Sequence, residues 1–243
     1  MWFCKINGHR SERIVMKKKS KRYREILKNS IKEKKISAKE ALELVKRNSN
    51  TKFDESIDIS LKINLKQSKG GDFSLRTTVN LPNGSGKKNK VAVLCEPEKI
   101  DEAKKAGADI AGSEDLIEKI AAGKFDFTKL VCTPAMMGKI GKHGKVLGPK
   151  GLMPNPKLGT VATDLTKAIK DIKFGLVEIR NDKDGNLAST IGRKSFSSDK
   201  LLENYNHFLE SVKKEKPDTI KGDFIKSSFL TSTMGISYKV GGK

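Results

Sequence analysis

The apolar residues of this chain change their spacing twice, and this change limits the folds that the chain can adopt. Apolar and polar residues alternate over 57–65 and again over 73–81. Alternation predicts strands with one buried face, and the Gly-Gly step within 69–72 predicts a turn that pairs the two as antiparallel strands. The same alternation returns in the last third of the chain.

Two helices are predicted before these strands. The segment from Met16 to Lys52 carries 14 Lys and Arg residues against 4 Glu. Its apolar residues nevertheless fall at helical spacing, at Tyr23, Ile26, Leu27 and Ile31, which predicts an amphipathic helix with a basic outer face. A second helix is expected from Ser37, because Ser37 and Glu40 form the pattern of a capping box.

The middle of the chain has a different pattern. Residues 91–95 are continuously apolar, as in a strand that is covered on both faces. The predicted order is a strand at 91–95, a helix ending at Gly107, a strand at 108–111, a helix from Ser113 to about Gly123, a strand at 129–133 and a helix opened by Pro134. This alternation predicts a small parallel sheet with helices on both faces.

The last third returns to the first pattern. The predicted elements are a helix over about 163–173, a hairpin of 176–180 and 187–191 around 181–186, a helix from Ser198 to before Pro217, and strands near 223–231 and 236–240. We therefore predict a fold of α+β and α/β character in two domains. The first is discontinuous (16–83 and 176–243), the second is inserted (84–175), and 1–15 is an extension.

The extension has three interpretations that the sequence leaves open. It is a flexible segment, an organelle-targeting sequence, or translation from an upstream start with Met16 as the usual beginning. It is too short and too poor in apolar residues for a secretory signal.

A glycine- and proline-rich stretch, Gly138–Val161, follows the parallel unit. It contains six glycines, three prolines and five lysines without a carboxylate. We expect a shaped loop that cannot continue a helix, and one that presents cations and backbone N–H groups to a phosphate-bearing partner. The alternative is a solvated connector. The stretch follows the carboxyl side of the sheet, where such sheets usually bind ligands.

Charge favours nucleic acid as the partner. There are 50 Lys and Arg residues against 29 Asp and Glu, a formal net charge of +21, and such a field concentrates polyanions. No apolar run approaches the roughly 20 residues of a membrane-spanning helix, so no membrane partner is expected. The three cysteines and three histidines lack the spacing of a disulfide framework or a metal site, and we predict no metal.

Enzymatic motifs are incomplete. Gly144-Lys145 resembles the end of a P-loop, but Lys139 replaces its first glycine and Val146 its hydroxyl residue. His143 lies in the loop as a solitary base, more typical of a solvated side chain. We therefore predict no catalytic residue, no cofactor and no enzymatic activity.

The segment Ser227–Gly235 is rich in hydroxyls and ends in Thr-Met-Gly. Its composition is suited to hydrogen bonds with RNA sugars and phosphates, and the alternative is an ordinary strand followed by a turn. Phe53 has the same ambiguity, as a core residue or as an exposed ring against an RNA sugar.

Five motifs together make the chain resemble the bacterial ribosomal protein L-one family, whose members belong to the mobile side stalk of the large ribosomal subunit. They occur in family order: KRYRE at 21–25, KFDESID at 52–58, GKVLGPKGLMPNPKLGTV at 144–161, FGLVEIRNDKDGN at 174–186 and TSTMG at 231–235. One departure is Ile236, where many bacterial members have proline.

The resemblance implies a discontinuous first domain that carries the main rRNA site and an inserted, Rossmann-like second domain. Carried over to this chain, the rRNA-binding residues would be Lys52, Phe53, Arg180, Lys183, Ser232, Thr233, Met234 and Gly235. A secondary RNA contact would involve Lys145, Lys150, Lys157 and, more weakly, Lys173.

The same resemblance implies the function. The protein would be a structural constituent of the large subunit that binds the stalk of 23S-type rRNA, takes part in stalk movement and release of E-site tRNA, and represses translation of its own operon mRNA. Its other partners would be ribosomal components, in the cytoplasm or in an organelle. The alternatives are a nonspecific basic RNA-binding protein and a nucleotide-binding α/β enzyme.

Overall fold

The computed structural model describes residues 20–28, 35–64, 75–123, 125–217, 220 and 222–241. Over these residues the fold is mixed α/β. Its helices are α1 Lys21–Lys28, α2 Ala38–Asn48, α3 Ile100–Lys105, α4 Glu114–Ala121, α5 Pro134–Gly141, α6 Gly144–Leu147, α7 Leu165–Phe174 and α8 Ser198–Lys214. Its strands are β1 Ser56–Ile63, β2 Arg76–Asn80, β3 Val91–Leu94, β4 Ile110–Gly112, β5 Lys129–Cys132, β6 Leu176–Arg180, β7 Asn186–Arg193, β8 Ile225–Ser232 and β9 Tyr238–Val240.

A four-stranded antiparallel sheet, in the order β7-β1-β8-β9, is formed by strands from both ends of the chain. Alternate residues of β1 are buried, at Ile57, Ile59, Leu61 and Ile63, which confirms the predicted half-buried strand. The buried side chains pack with α2 and α8 into one apolar cluster. The Ser37 side chain accepts the N–H of Glu40, so the predicted cap of α2 is also confirmed.

The predicted pairing of the first two strands is wrong. β1 pairs with β7 and β8, whereas β2 forms a separate two-stranded ribbon with β6. Alternation identifies which face of a strand is buried, but it carries no information about the partner strand. The predicted turn at 69–72, together with Phe73, Leu65, Ile31 and the extension 1–15, lies outside the described residues.

The predicted hairpin around 181–186 forms only at its turn. Gly185 N–H donates to Asp182 O at 3.0 Å, and Asp182 N–H donates to Asn186 O at 2.9 Å. A single bridge joins Asn181 to Leu187. Beyond it β6 joins β2 and β7 joins β1, so the two strands diverge into different sheets.

The middle of the chain forms a three-stranded parallel sheet in the order β4-β3-β5, as predicted. Every residue of β3 is buried. Two apolar clusters, one on each side, contain residues between Val91 and Ile172, and they share no buried residue with the cluster of the four-stranded sheet. Gly107 and Gly175 end α3 and α7 with positive φ.

The stretch Gly138–Val161 is more helical than we expected. It contains the end of α5, the short helix α6 and a 3-10 turn at Pro156–Leu158. Both α-helical parts precede Pro149, the first proline of the stretch, and the buried side chains of Ile140 and Leu147 anchor them. Glycine costs a helix only about 1 kcal/mol, which apolar burial offsets. Val161 lies beside Cys132, the last residue of β5, so the stretch does follow the carboxyl edge of the sheet.

Candidate nucleic-acid interface

The turn Thr233–Gly235 connects β8 to β9 and is bound to the start of β1. Thr233 N–H donates to Ser56 O at 3.1 Å, and Ser56 N–H donates to Thr233 Oγ1 at 3.0 Å. Thr233 Oγ1 also lies 3.3 Å from Ser56 O, to which it can donate. The Thr233 hydroxyl therefore serves mainly to hold the turn against β1, with one acceptor position left for a partner.

Glu55 lies beneath this turn and is fully buried. Its Oε2 accepts the N–H of Met234 at 3.2 Å, and its Oε1 accepts the hydroxyl of Thr51 at 2.7 Å. Burial raises the pKa of Glu55, but hydrogen bonds from Ser232 and Thr51 and from the backbone of Met234 outweigh it, so the pKa is lower than usual. The carboxylate is ionised at neutral pH and fixes the turn from below.

Ser232 and Gly235 are in very close contact. A Cβ on Gly235 would overlap Ser232 Oγ, so any larger residue here would have to displace the Ser232 side chain. Ser232 is buried, with only 3% of its surface exposed. The structure thus places this predicted RNA contact under the surface, as a support for Glu55 and Gly235.

Two large apolar side chains on these segments face solvent. Phe53 is 52% exposed and Met234 is 50% exposed. Asp54 holds the Phe53 segment in place, because its carboxylate accepts the N–H and the hydroxyl of Ser195 at 3.1 and 2.9 Å, while its carbonyl accepts from Arg193 at 3.1 Å. Lys52 is exposed beside it. The result is a firmly held surface with Lys52 and the exposed carboxylate of Asp54 at its margin. We call its uncharged residues, Phe53 with 233–235, the apolar turn surface.

Arg22 was not among the predicted site residues. It lies on α1, and its Nη2 donates to Met234 O at 2.9 Å, which ties the basic first helix to the apolar turn surface. Glu55, Thr51 and Ser56 were missed as well. The motifs at 21–25 and 52–58 contain Arg22, Glu55 and Ser56, but no sequence pattern assigns them to the turn.

Arg180, the last residue of β6, and Lys183, in the turn that follows, are exposed, but both lie near the end of β1. The turn that carries Lys183 is next to the end of β1, where Ile63 N–H donates to Gly185 O at 2.8 Å. The apolar turn surface is at the start of β1. Six residues separate Ser56 from Lys62, or about 20 Å along a strand. The structure therefore does not bring these two cations to the predicted centre.

The four lysines predicted for a secondary contact have different surroundings. Lys145 on α6 and Lys157 are exposed. Lys150 Nζ lies 3.7 Å from the centroid of the Phe125 ring, a cation–π contact. Lys173 Nζ lies 3.4 Å from Asp109 Oδ2. Lys145 and Lys157 are therefore better placed for phosphates than Lys173, whose charge has a partner.

Among the residues that the structure describes, the remaining thiols and metal-ligating side chains do not form a second site. Burial raises the pKa of the Cys95 thiol, and it raises that of Cys132 to about 11, so neither thiol is activated as a nucleophile. In the described part of the chain no cluster of His, Cys, Asp and Glu side chains could hold a metal ion. The helices found there are too short or too polar to cross a membrane.

A strongly basic mixed α/β fold with exposed apolar side chains beside an uncharged turn is typical of RNA-binding proteins. Comparison with known proteins narrows the class. The model of the ribosomal protein L1p/L10e family matches residues 45–236, and the chain belongs to this family.

Curated relatives agree. The chain is 59% identical over 200 residues to the large ribosomal subunit protein uL1 of Pelagibacter ubique, covering 82% of this chain and 87% of the relative. It is 48% identical over 225 residues to uL1 of Prochlorococcus marinus strain NATL1A, covering 93% and 95%. Identity to uL1 of Bifidobacterium adolescentis is 48% over 219 residues, covering 90% and 95%.

Membership confirms two predictions from the sequence. The chain is a structural protein of the large ribosomal subunit, and it is not an enzyme. Its partners are accordingly rRNA and other ribosomal components. Because rRNA is a polyanion, this partner accounts for the positive net charge of the chain.

Proposed function

We propose that the protein binds the side-stalk region of large-subunit rRNA through the apolar turn surface. The observation that carries this proposal is the joint exposure of Phe53 and Met234 on two segments that Glu55 and Ser56 join together. An exposed apolar surface of this rigidity suits a preformed RNA surface, such as sugar edges and unstacked bases.

Lysines supply the attraction and the apolar turn surface supplies the specificity. Phosphate contacts depend on salt and tolerate any sequence, whereas a close-fitting neutral contact tolerates little change in shape. Lys52 adds a charge at the margin of the apolar turn surface. Arg180 and Lys183 contact a different part of the RNA, because they lie near the end of β1, about 20 Å from the apolar turn surface at its start. Lys145 and Lys157 provide the secondary contact.

The two-domain arrangement is part of the same proposal. Residues 16–83 and 176–243 form the rRNA-binding domain, and 84–175 form the inserted Rossmann-like domain. Separate apolar clusters for the two sets of residues support this division. The chain passes between them at Gly84 and Gly175, which lie back to back with φ of 71° and 142°.

Movement of the rRNA stalk and release of deacylated tRNA from the E site follow as the cellular role, in cytoplasmic ribosomes. Translational repression follows if the operon mRNA presents a similar fold, because one rigid surface can bind both RNAs. Motion about the two crossings would let the inserted domain follow the stalk.

Binding to two RNAs tests the proposal. A stalk fragment and an unrelated structured RNA are titrated at one fixed salt concentration with the intact protein and with Met234→Asp, after circular dichroism confirms folding. We expect the variant to lose at least about thirtyfold in affinity for the stalk fragment, because a charge is placed in a desolvated contact, and to keep its weak binding to the other RNA. If the intact protein and the variant bind both RNAs equally well, the proposal is wrong and the protein is a nonspecific basic RNA-binding protein.

A further inference from the structure

A cleft of about 310 Å³ lies between the two crossings of the chain and the parallel sheet. One wall is the segment from Ser85 to Asn89, which leads into β3, and another is the start of β6. The edge strand β7 closes the cleft at Ser189 and Thr190, opposite Lys129, the first residue of β5. The cleft is thus at the amino edge of the parallel sheet, away from the stretch 138–161.

The cleft is lined by cations and by neutral hydrogen-bonding groups. Lys87 Nζ lies 3.5 Å from Thr190 Oγ1. Lys129 has no carboxylate within ion-pair distance among the residues that the structure describes. Thr190 pairs with Asp58 and so points away from the buried face of β1, toward Lys87. Ser189 pairs with the buried Ile59 on the opposite face of the sheet, so its hydroxyl is not one of the groups of this cleft.

The one carboxylate on the wall does not cancel this charge. Glu178 Oε1 accepts from Arg76 Nε and Arg76 Nη2, both at 2.9 Å, so its charge is already balanced. Asn89 Nδ2 donates one N–H to Ile172 O at 3.2 Å, and the second N–H and the amide oxygen remain for other groups. The two ammonium groups therefore dominate the electrostatics of the cleft.

We propose that this cleft binds a phosphate group, with Lys87 and Lys129 as its cations and Thr190 as a hydroxyl donor. The oxygens of one phosphate accept several hydrogen bonds at once, from ammonium as well as hydroxyl groups. The phosphate is either a free one or part of an RNA backbone, since both have the same chemistry.

Such a ligand would join two parts of the fold. Lys129 begins β5, whose following residues pack in the clusters of the parallel sheet, whereas Thr190 precedes Ile191 in the cluster of the four-stranded sheet. A phosphate bound by Lys129 and Thr190 together would stabilise their present separation. Bound phosphate would then hold the parallel sheet and the four-stranded sheet in their present relative position.

The test measures amide chemical shifts of the full chain as inorganic phosphate replaces chloride at constant ionic strength. We expect saturable shifts at Lys129 and Thr190. Lys129→Gln and Lys87→Gln should weaken phosphate binding about tenfold, while Lys119→Gln, an exposed lysine on α4, should leave it unchanged. Lys87 is exposed, so its variant tests the site without risk to folding.

Shifts that never saturate, or equal weakening by all three variants, would overturn the proposal, since both outcomes describe diffuse attraction to lysines. The source of the phosphate is decided by adding a stalk RNA fragment. If RNA supplies the phosphate, Lys129→Gln lowers RNA affinity and RNA displaces inorganic phosphate. If the phosphate is free, the RNA complex still binds it and Lys129→Gln leaves RNA affinity unchanged.

Discussion

The buried carboxylate of Glu55 accepts the backbone N–H of Met234 at 3.2 Å, directly beneath a surface that is proposed to bind a polyanion. Because it is buried, this acid would not contact the RNA itself. It fixes the backbone of Met234, the residue proposed to do so, together with the hydroxyls of Thr51 and Ser232. The position of the turn therefore depends on an ionised side chain.

Replacing Glu55 by Gln should weaken binding of the stalk fragment about tenfold and destabilise the fold by about 1–3 kcal/mol, because an amide cannot accept all the donors that converge here. RNA titration and urea unfolding measure the two effects. Glu43→Gln, at an exposed position on α2, is the matched control. Equal behaviour of the two variants would show that Glu55 has no positioning role.

The stabilising effect of Glu55 should depend on pH. Its pKa in the folded chain is lower than usual, so the ionised form stabilises the fold above the unfolded pKa of about 4.3. This contribution is lost as the pH falls through the folded pKa. The difference in unfolding free energy between the intact protein and Glu55→Gln should therefore be largest near pH 7 and shrink below about pH 4. A constant difference would contradict the lowered pKa.

Gly235→Ala should reduce stalk RNA affinity about tenfold, because the new methyl group overlaps Ser232 Oγ and must displace it from Glu55. The double variant Gly235→Ala with Ser232→Ala removes the overlap. In a double-mutant cycle the second change should recover part of the loss. Strict additivity of the two changes would show that the overlap is not the cause.

The crossing of the two chain segments should be intolerant of side chains. A Cβ on Gly84 would lie 2.6 Å from the carbonyl oxygen of Phe174, and its φ of 71° is unfavourable for other residues. Gly84→Ala should cost about 2–4 kcal/mol, as strain and overlap add. Gly123 has a similar φ of 77° with nothing near its Cβ position, so Gly123→Ala measures strain alone, about 1 kcal/mol. Urea unfolding measures the loss of unfolding free energy in each variant. Equal losses would show that the crossing accommodates a methyl group at Gly84 without overlap.

Lys183→Gln and Met234→Ala should have additive effects on RNA affinity. The two residues lie about 20 Å apart, near opposite ends of β1, and changes at that distance usually add to within about 0.5 kcal/mol. Titrations of the two single variants and the double variant measure the coupling. A coupling above about 1 kcal/mol would show that both residues contact one RNA feature.

Part of this structure could be predicted from residue patterns because those patterns are local. The alternation of β1 and the cap at Ser37 depend on neighbours within a few residues, and both predictions are confirmed. The partner of β1 is decided by residues over 100 positions away, and the pairing prediction was wrong. The helix α6 was not predicted, because the many glycines of the stretch indicated a loop. The burial of Leu147, which stabilises this helix, depends on the tertiary fold.

The site shows the same limit. Composition left open whether 227–235 is an ordinary strand and turn and whether Phe53 is a core residue, and only the family resemblance selected Thr233, Met234 and Phe53. The structure exposes Phe53 and Met234 and brings their segments together. Glu55 and Arg22 support the turn through contacts across 179 and 212 positions. Such contacts exist only after the sheet has formed, so they cannot be predicted from a local sequence pattern.

The most direct test of the account is the salt dependence of binding to the stalk fragment for the intact protein, Met234→Ala and Lys52→Gln. We predict that Met234→Ala gives a line parallel to the intact protein in a plot of log affinity against log salt, displaced by about tenfold, because an apolar contact releases no counterions. Lys52→Gln should reduce the slope by about 0.7–0.9. If Met234→Ala falls on the line of the intact protein, specificity does not come from the apolar turn surface and the account is contradicted.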